Sequence, residues 1–591
     1  MFLRTVRAQG GKGQTHEYVR LVESYRDGER IRQRVVFNLG RRDLIAPHAE
    51  ALFHLLTGRT APGERSAQDP QPIEAWDWGP FLVARSLWKE LGLESILDAC
   101  DIGGEGPRLA DRALVLVANR LAAPSSEHGV ARWLETDFVC DRHGRRWTPA
   151  WRSDEERLRS RRPRVRVKDH QLQTWYRTLD ALIAHKEHIE KELFLRLRDL
   201  FSLKPEMVFY DLTSTYFEGE GPAGFARHGY SRDGKPHNRQ VLVGLVMVNG
   251  WPIAHHVFRG NLLDSQTVLD VLKDLNQRLG LECVTFVGDR GMVTTKNIAF
   301  LKEKHQGYLV GLQRRRRAGI LKLIERATGP WIDCPVGITA QEKASPPKTQ
   351  VQEVPSDDPE VRTFVVQSDE RRDYERAMRE RSMERTREAL EKLARRVSSG
   401  RLKSAEKIGE AAGRILNRNH GHRYYAWELH DRDREFRFFE HPVHLAREKA
   451  YEGKYLIQTE EKHLTPIAAV QSYKELSEVE RAFSSLKDVI AMRPIYHRTE
   501  GRVKAHIFVA ALAFLLQRAV EKKLKAAGSD ISSREALQAL RKVKVIDMDL
   551  GDNGLKRGVA RGNGRASVLL GALGISDLEP PTPPKGQETH A

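Results

Sequence analysis

Apolar positions recur with two different periods along this chain, and the switches between them divide it into segments. E-Y-V-R-L-V-E-S-Y-R (17–26) and R-I-R-Q-R-V-V-F-N-L (30–39) alternate at period two around Asp27-Gly28, which predicts a β-hairpin. Its outward side chains are largely arginine (Arg20, Arg32, Arg34), fitting either a solvated strand face or a track along phosphates. From Trp78 to about Leu134 the period becomes helical, in F-L-V-A-R-S-L-W-K-E-L-G and R-L-A-D-R-A-L-V-L-V-A-N-R-L, broken at Gly92 and Gly103-Gly104. A long amphipathic helix is predicted from about Asp169 to Phe201. Short apolar runs then read as strands: Met207–Tyr210 closed by Asp211, Gln240–Val248 and Pro252–Phe258 around Asn249-Gly250. Helix 265–279, the run Cys283–Gly288 closed by Asp289, a short helix near 295–304 and the strand Tyr308–Leu312 come next.

This order predicts an α/β fold, a mixed sheet flanked by helices. At Gln313 the pattern breaks. Arg314–Arg317 opens a stretch that is proline-rich around 346–359, highly charged and helical from Arg371 to about Leu416, and alternating across 422–440. Strand-like Lys454–Thr459 and the helix Tyr473–Lys487 resume the earlier style, so 313–453 reads as an insertion within a sheet domain. The expected organisation is a hairpin region (1–60), a helical and DNA-binding region (75–200), a core in two parts (201–312 and 454–528) around the insertion (313–453), and a C-terminal region (529–591). The last residues, E-P-P-T-P-P-K-G-Q-E-T-H-A, are disordered by composition.

Composition narrows the partners. The 591 residues carry a formal charge of +18 and a pI near 9.6, which favours a polyanion. Four cysteines without a C-x-x-C pair argue against a zinc ribbon or disulfide framework. The start M-F-L-R-T-V-R lacks the apolar centre of a secretory signal, and the longest apolar run, Ile507–Leu516, is short of a membrane span. A cytoplasmic protein with no membrane partner is the expectation.

Three acids stand out. Asp211 and Asp289 follow buried runs, where an open sheet displays functional groups, although each also fits a turn residue. In the 473–487 helix, Leu476, Val479, Phe483, Leu486 and Ile490 form an apolar stripe, and Tyr473, Glu480 and Lys487 line its border at a spacing of seven. Glu480 alone fits a surface glutamate. Three carboxylates gathered at one sheet edge can hold a pair of hard divalent cations, which cut and join phosphodiesters. Neither a G-x-S-x-G elbow nor a G-x-x-x-x-G-K-[ST] loop occurs, and the histidines at 420, 422, 430, 441 and 444 lack ligand spacing with cysteines.

Together these features resemble an RNase H-like DDE transposase. Tyr473-x2-Leu476-x3-Glu480-x6-Lys487 is similar to the Y-x2-R-x3-E-x6-K signature of the insertion-sequence-four superfamily, except at Leu476. Y-D-L-T-S-T-Y-F-E-G (210–219), H-G-Y-S-R-D-G-K-P (228–236), F-R-G-N-x-x-D-S (258–265) and G-D-R-G-M (288–292) resemble further blocks of that group, and the similarity spans roughly 200–520. The resemblance implies a cut-and-paste enzyme whose Asp211, Asp289 and Glu480 bind two Mg²⁺ or Mn²⁺ ions, about 3.5–4 Å apart. It implies phosphate contacts from Tyr473 and Lys487, with Lys474 or Arg481 as substitutes for the arginine replaced by Leu476. An insertion aromatic, Trp331 or Trp427, would stack on a flipped base of a hairpin intermediate. The implied partners are double-stranded DNA, as terminal inverted repeats and target, and a second protomer in a synaptic homodimer. A metal-dependent nuclease without strand transfer and a catalytically silent DNA-binding descendant are the alternatives.

Overall fold

The computed structural model describes residues 2–9, 15–27, 30–42, 71–101, 107–149, 170–282, 284–289, 292, 294–312, 319–335, 348–430, 435–549, 555–584 and 589–590. Gly28, the Gly103-Gly104 pair, Cys283 and the Arg314–Arg317 run lie outside them. The chain opens with strands β1 (Phe2–Gln9), β2 (Thr15–Asp27), β3 (Arg30–Arg41) and β4 (Gln71–Asp77). Helices α1 (Gly79–Glu90) and α2 (Leu109–Ala122) come after them. The predicted long helix is two, α3 (His170–Ala184) and α4 (Lys186–Phe201), because His185 leaves helical geometry at ψ 8°.

The central sheet contains β5 (Met207–Tyr216), β6 (Gln240–Val248) and β7 (Trp251–Arg259), then α5 (Asp264–Leu279), β8 (Thr285–Gly288), α6 (Thr295–Glu303) and β9 (Gly307–Gly311). The β6–β7 turn places Asn249 and Gly250 both at positive φ, 49° and 74°, as a two-residue hairpin turn requires. β5 pairs antiparallel with β6 and parallel with β8, and β8 is parallel to β9, giving the order β9-β8-β5-β6-β7. The fold is RNase H-like: a mixed sheet with helices on both faces.

The insertion differs from a separate unit. Its strands β10 (Thr349–Val354) and β11 (Arg362–Ser368) extend the central sheet through β12 (Lys454–Thr459), which lies between β11 and β9. Only its later part builds a core of its own, around Leu390, Leu393, Ile408 and Phe436. That part consists of α7 (Asp369–Ser398), α8 (Ala405–Arg418) and the hairpin Tyr425–His430/Glu435–Glu440. Helix α9 (Pro466–Ser484) and helix α10 (Glu500–Ala526) return to the central sheet.

The apolar run Ile507–Leu516 sits inside α10, whose 27 residues reach the length and hydropathy of a membrane span. That window is 89% buried, against α2 and α3, so the helix is a core element. The two chain ends are also not separate regions. β13 (Lys544–Asp549) and β14 (Leu555–Ala560) insert between β3 and β4, completing a six-stranded sheet in the order β1-β2-β3-β14-β13-β4. The tail expected without order carries a two-residue strand, Thr589–His590, paired with Arg146–Trp147.

Candidate active site

The register of the central sheet sets the first two acids level with each other. β5 and β8 run parallel with Tyr210 opposite Gly288, and Asp211 and Asp289 are the next residues along the chain from each. Parity fixes their side. Val208, Tyr210 and Leu212 pack with Val268 and Leu272 of α5, whereas Phe209 and Val287 pack with Leu476, Val479 and Phe483 of α9. Asp211 and Asp289 share the second parity, so both belong to the α9 face. The sequence pattern ends the first strand at Asp211, but β5 continues to Tyr216, because β6 goes on pairing after β8 has stopped. The acid therefore occupies the place where one neighbouring strand ends and the other does not.

Glu480 lies on α9 just outside the buried stripe of Leu476, Val479 and Phe483. Asp289 and Glu480 are exposed and line one cavity of about 1010 Å³, with Tyr473, Leu476, Arg481 and, from α7, Arg371 and Tyr374. Asp211 is half-buried and is not among the residues that line this cavity. Burial raises its carboxyl to about 7, the Leu212 backbone N–H works against that, and the charges of Asp289 and Glu480 add to the rise. Arg232 is the cation that opposes them. The three carboxylates influence one another electrostatically, and oxygen ligands with excess negative charge are the kind that suit a hard divalent cation.

Residues 204–516 match the family described as the transposase DDE domain, and residues 3–65 match the IS1634 family transposase, N-terminal domain. The chain belongs to the DDE-domain transposase family. No curated protein matched it. The family's activity, DNA cleavage with divalent metal, is consistent with the carboxylate group of this transposase.

The remaining residues singled out from the sequence are dispersed. Tyr473 borders the cavity, its ring 5.9 Å from that of Tyr455, over which Arg371 lies at 5.2 Å. Leu476 is buried in the core, which accounts for a leucine at that position. Arg481 is exposed at the rim and bonds to Ser477 of its own helix, while Lys474 donates to Thr349 Oγ1 of β10 at 3.2 Å.

The spacing of seven fails at Lys487. Ser485–Val489 is a π-helical turn, so the regular helix ends before that lysine. Lys487 Nζ instead donates to Asp233 Oδ1 at 2.7 Å, and Arg493 Nη1 reaches the same oxygen at 2.5 Å. Burial lowers the Lys487 ammonium below its usual range, and Asp233 partly restores it.

The two tryptophans expected to stack on a base are half-buried, each against an apolar cluster of the insertion. Trp427 stacks on Phe436 at 5.6 Å in the α7–α8 core, and Trp331 packs on the cluster around Ile320 and Ile324. The exposed aromatic that the insertion brings to the cavity is Tyr374, 66% exposed, in a charged helical run that gives it no sequence signal.

Glu127, His497 and His506 also approach one another within 4.8 Å, as metal ligands can. Arg120 Nη2, which can only donate, is 3.1 Å from His506 Nδ1, so Nε2 carries the proton and donates to Met492 O at 3.0 Å. Both ring nitrogens are thereby occupied, and burial with the Arg120 charge depresses His506 to about 4. This cluster braces α2 against α10 and leaves His506 no lone pair for a metal.

Proposed function

We propose that this chain is a cut-and-paste DNA transposase of the insertion-sequence-four superfamily, with Asp211, Asp289 and Glu480 as the ligands of two Mg²⁺ or Mn²⁺ ions. The reading is carried by one observation. Three carboxylates, from two adjacent parallel strands and a facing helix, lie near enough that the charges of two help burial raise Asp211 to about 7. Bound metal would supply an activated oxygen nucleophile and stabilise the leaving oxygen. The protein's own contributions are distinct from that chemistry. Asp211 is held rigidly in mid-strand, Asp289 is brought level with it by the β5–β8 register, and Glu480 approaches from a helix docked by its apolar stripe.

Tyr473, Arg481 and Arg371 border the cavity that a DNA strand would enter, and the +18 charge supplies sequence-independent attraction. Lys487 differs from the superfamily's pattern as a phosphate contact, since its Nζ is already paired with Asp233, which it shares with Arg493. A synaptic homodimer on paired inverted repeats belongs to the same proposal. The test is a two-step assay on duplexes bearing the terminal inverted repeats that this reading expects on either side of the gene. A transposase nicks the ends and joins pre-cut ends to target DNA in Mg²⁺. Nicking without joining would make the protein a nuclease, and neither activity would make it a silent DNA-binding descendant.

A further inference from the structure

A second cavity, apart from the carboxylates, has a volume of about 590 Å³. It opens where the last turns of α10 pass the ends of α1 and α4 and the β6–β7 turn. Ser202 closes α4 in left-handed geometry, φ 50°; beyond it Leu203 is buried, while Phe201 before it stays 37% exposed at the cavity wall. Phe201 stacks on the buried Trp251 at 4.5 Å and 23°, and Leu87 and Leu91 complete an apolar floor. The charges at the mouth are unequal in sign. Glu90 pairs with Lys523 at 2.9 Å, so those two cancel. Lys204 and Lys522 also line the cavity, and neither has an ion-pair partner among the described residues.

Lys522 is the informative one of the two. It is half-buried, its Nζ donates to Asn249 O at 3.0 Å, and it lies 5.2 Å from the centre of the Trp251 ring. Burial and, after it, the charge of Arg518 lower its ammonium below the usual range, with Glu478 opposing them. A partly desolvated cation answered only by a carbonyl and an indole costs free energy that an anion beside it would recover. An apolar cavity of this size with a few polar groups on one side has the form of a small-molecule site, and its uncompensated cations set the sign of the ligand. A sugar–phosphate backbone would leave the apolar floor unused. We propose that this cavity binds a small amphipathic anion, an aryl or acyl carboxylate or sulfonate, with its apolar body on Phe201 and Trp251 and its head group paired with Lys522 and attracted by Lys204. The site shares no residue with the carboxylate cavity, so its occupation does not depend on the transposase reading.

The test titrates the full chain with two probes of like shape, anionic 8-anilinonaphthalene-1-sulfonate and neutral N-phenyl-1-naphthylamine, read by their fluorescence. One saturable site for the anionic probe is expected in the wild type, and the better competitor of decanoate and 2-naphthoate tells an acyl from an aryl ligand. Ala526→Trp, at an exposed position on the cavity wall, should block both probes and leave the melting temperature unaltered. Lys522→Gln should weaken the anionic probe by about tenfold and the neutral probe by less than about twofold. Lys204→Gln, at an exposed residue, should act in the same sense by about threefold without touching the bond to Asn249, so a disturbed turn in Lys522→Gln does not decide the outcome. The absence of a saturable site in the wild type, or unchanged binding of both probes by Ala526→Trp, overturns the cavity as a ligand site. Equal effects on the two probes in both lysine variants overturn the anionic class.

Discussion

Asp211 titrates where it does because burial and two neighbouring carboxylates oppose its ionisation, and this makes it the most informative single residue. Its folded pKa, about 7, lies above the ordinary 3.8, so the native state binds the extra proton between those values. The resulting stabilisation is complete below about pH 4 and is lost as pH rises through 7. Thermal melts of metal-free protein should therefore show a fall in stability across that window that Asp211→Asn lacks. Metal binding requires the ionised carboxylate, so Mg²⁺ affinity and cleavage should both increase as pH passes 7, with proton release on binding measurable by calorimetry. Trp427 tests the opposite assignment. It packs on Phe436 in the insertion core, so Trp427→Ala should cost about 2–3 kcal/mol in a denaturant melt while the protein still binds overhang DNA. A selective loss of DNA binding without loss of stability would return it to the role of a stacking residue.

Among elements, the sequence makes legible whatever local pattern determines. The β6–β7 hairpin, α5, the strands leading to Asp211 and Asp289 and the buried stripe of α9 follow from apolar period and turn residues, and the structure contains all of them. Long-range pairing leaves no such trace. Lys487 and Asp233 are 254 residues apart, and nothing in the spacing of either predicts their contact or the π-turn that permits it. The sequence reads β5 short because the apolar run Met207–Tyr210 ends at Asp211, while the pairing with β6 that prolongs it is tertiary. Removing one cation from the Asp233 pair is expected to be costly, since the carboxylate is buried and its Oδ2 is without a partner. Lys487→Met should lower stability by about 3 kcal/mol, whereas Asp233→Asn with Lys487→Met should recover part of it; chemical denaturation of the two variants distinguishes this from a purely DNA-directed lysine.

Over the whole molecule, the chain closes on itself. Trp78 Nε1 donates to Leu578 O across 500 residues, and β13–β14 supply the middle of a sheet begun by the first 41 residues. Truncation before Lys544 should therefore unfold the N-terminal sheet as well, visible as lost strand signal in circular dichroism, although a reading of separate terminal regions would predict no effect. The same closure brings the basic hairpin strands and the helical region into one body with the carboxylate site, over which the net charge of +18 is distributed. DNA affinity should fall by about 10³-fold or more between roughly 50 and 200 mM salt if about six or more phosphates are neutralised.

The central claim is that Asp211, Asp289 and Glu480 form one metal-dependent phosphoryl-transfer site. It is tested most directly with purified wild type and Asp289→Ala on pre-cut duplexes ending in the inverted repeats expected on either side of the gene, with plasmid target and Mg²⁺. The account predicts joined product from the wild type, none in EDTA, and a loss of at least about 10³-fold in Asp289→Ala with DNA binding retained. Joining by Asp289→Ala at a rate near that of the wild type would contradict it.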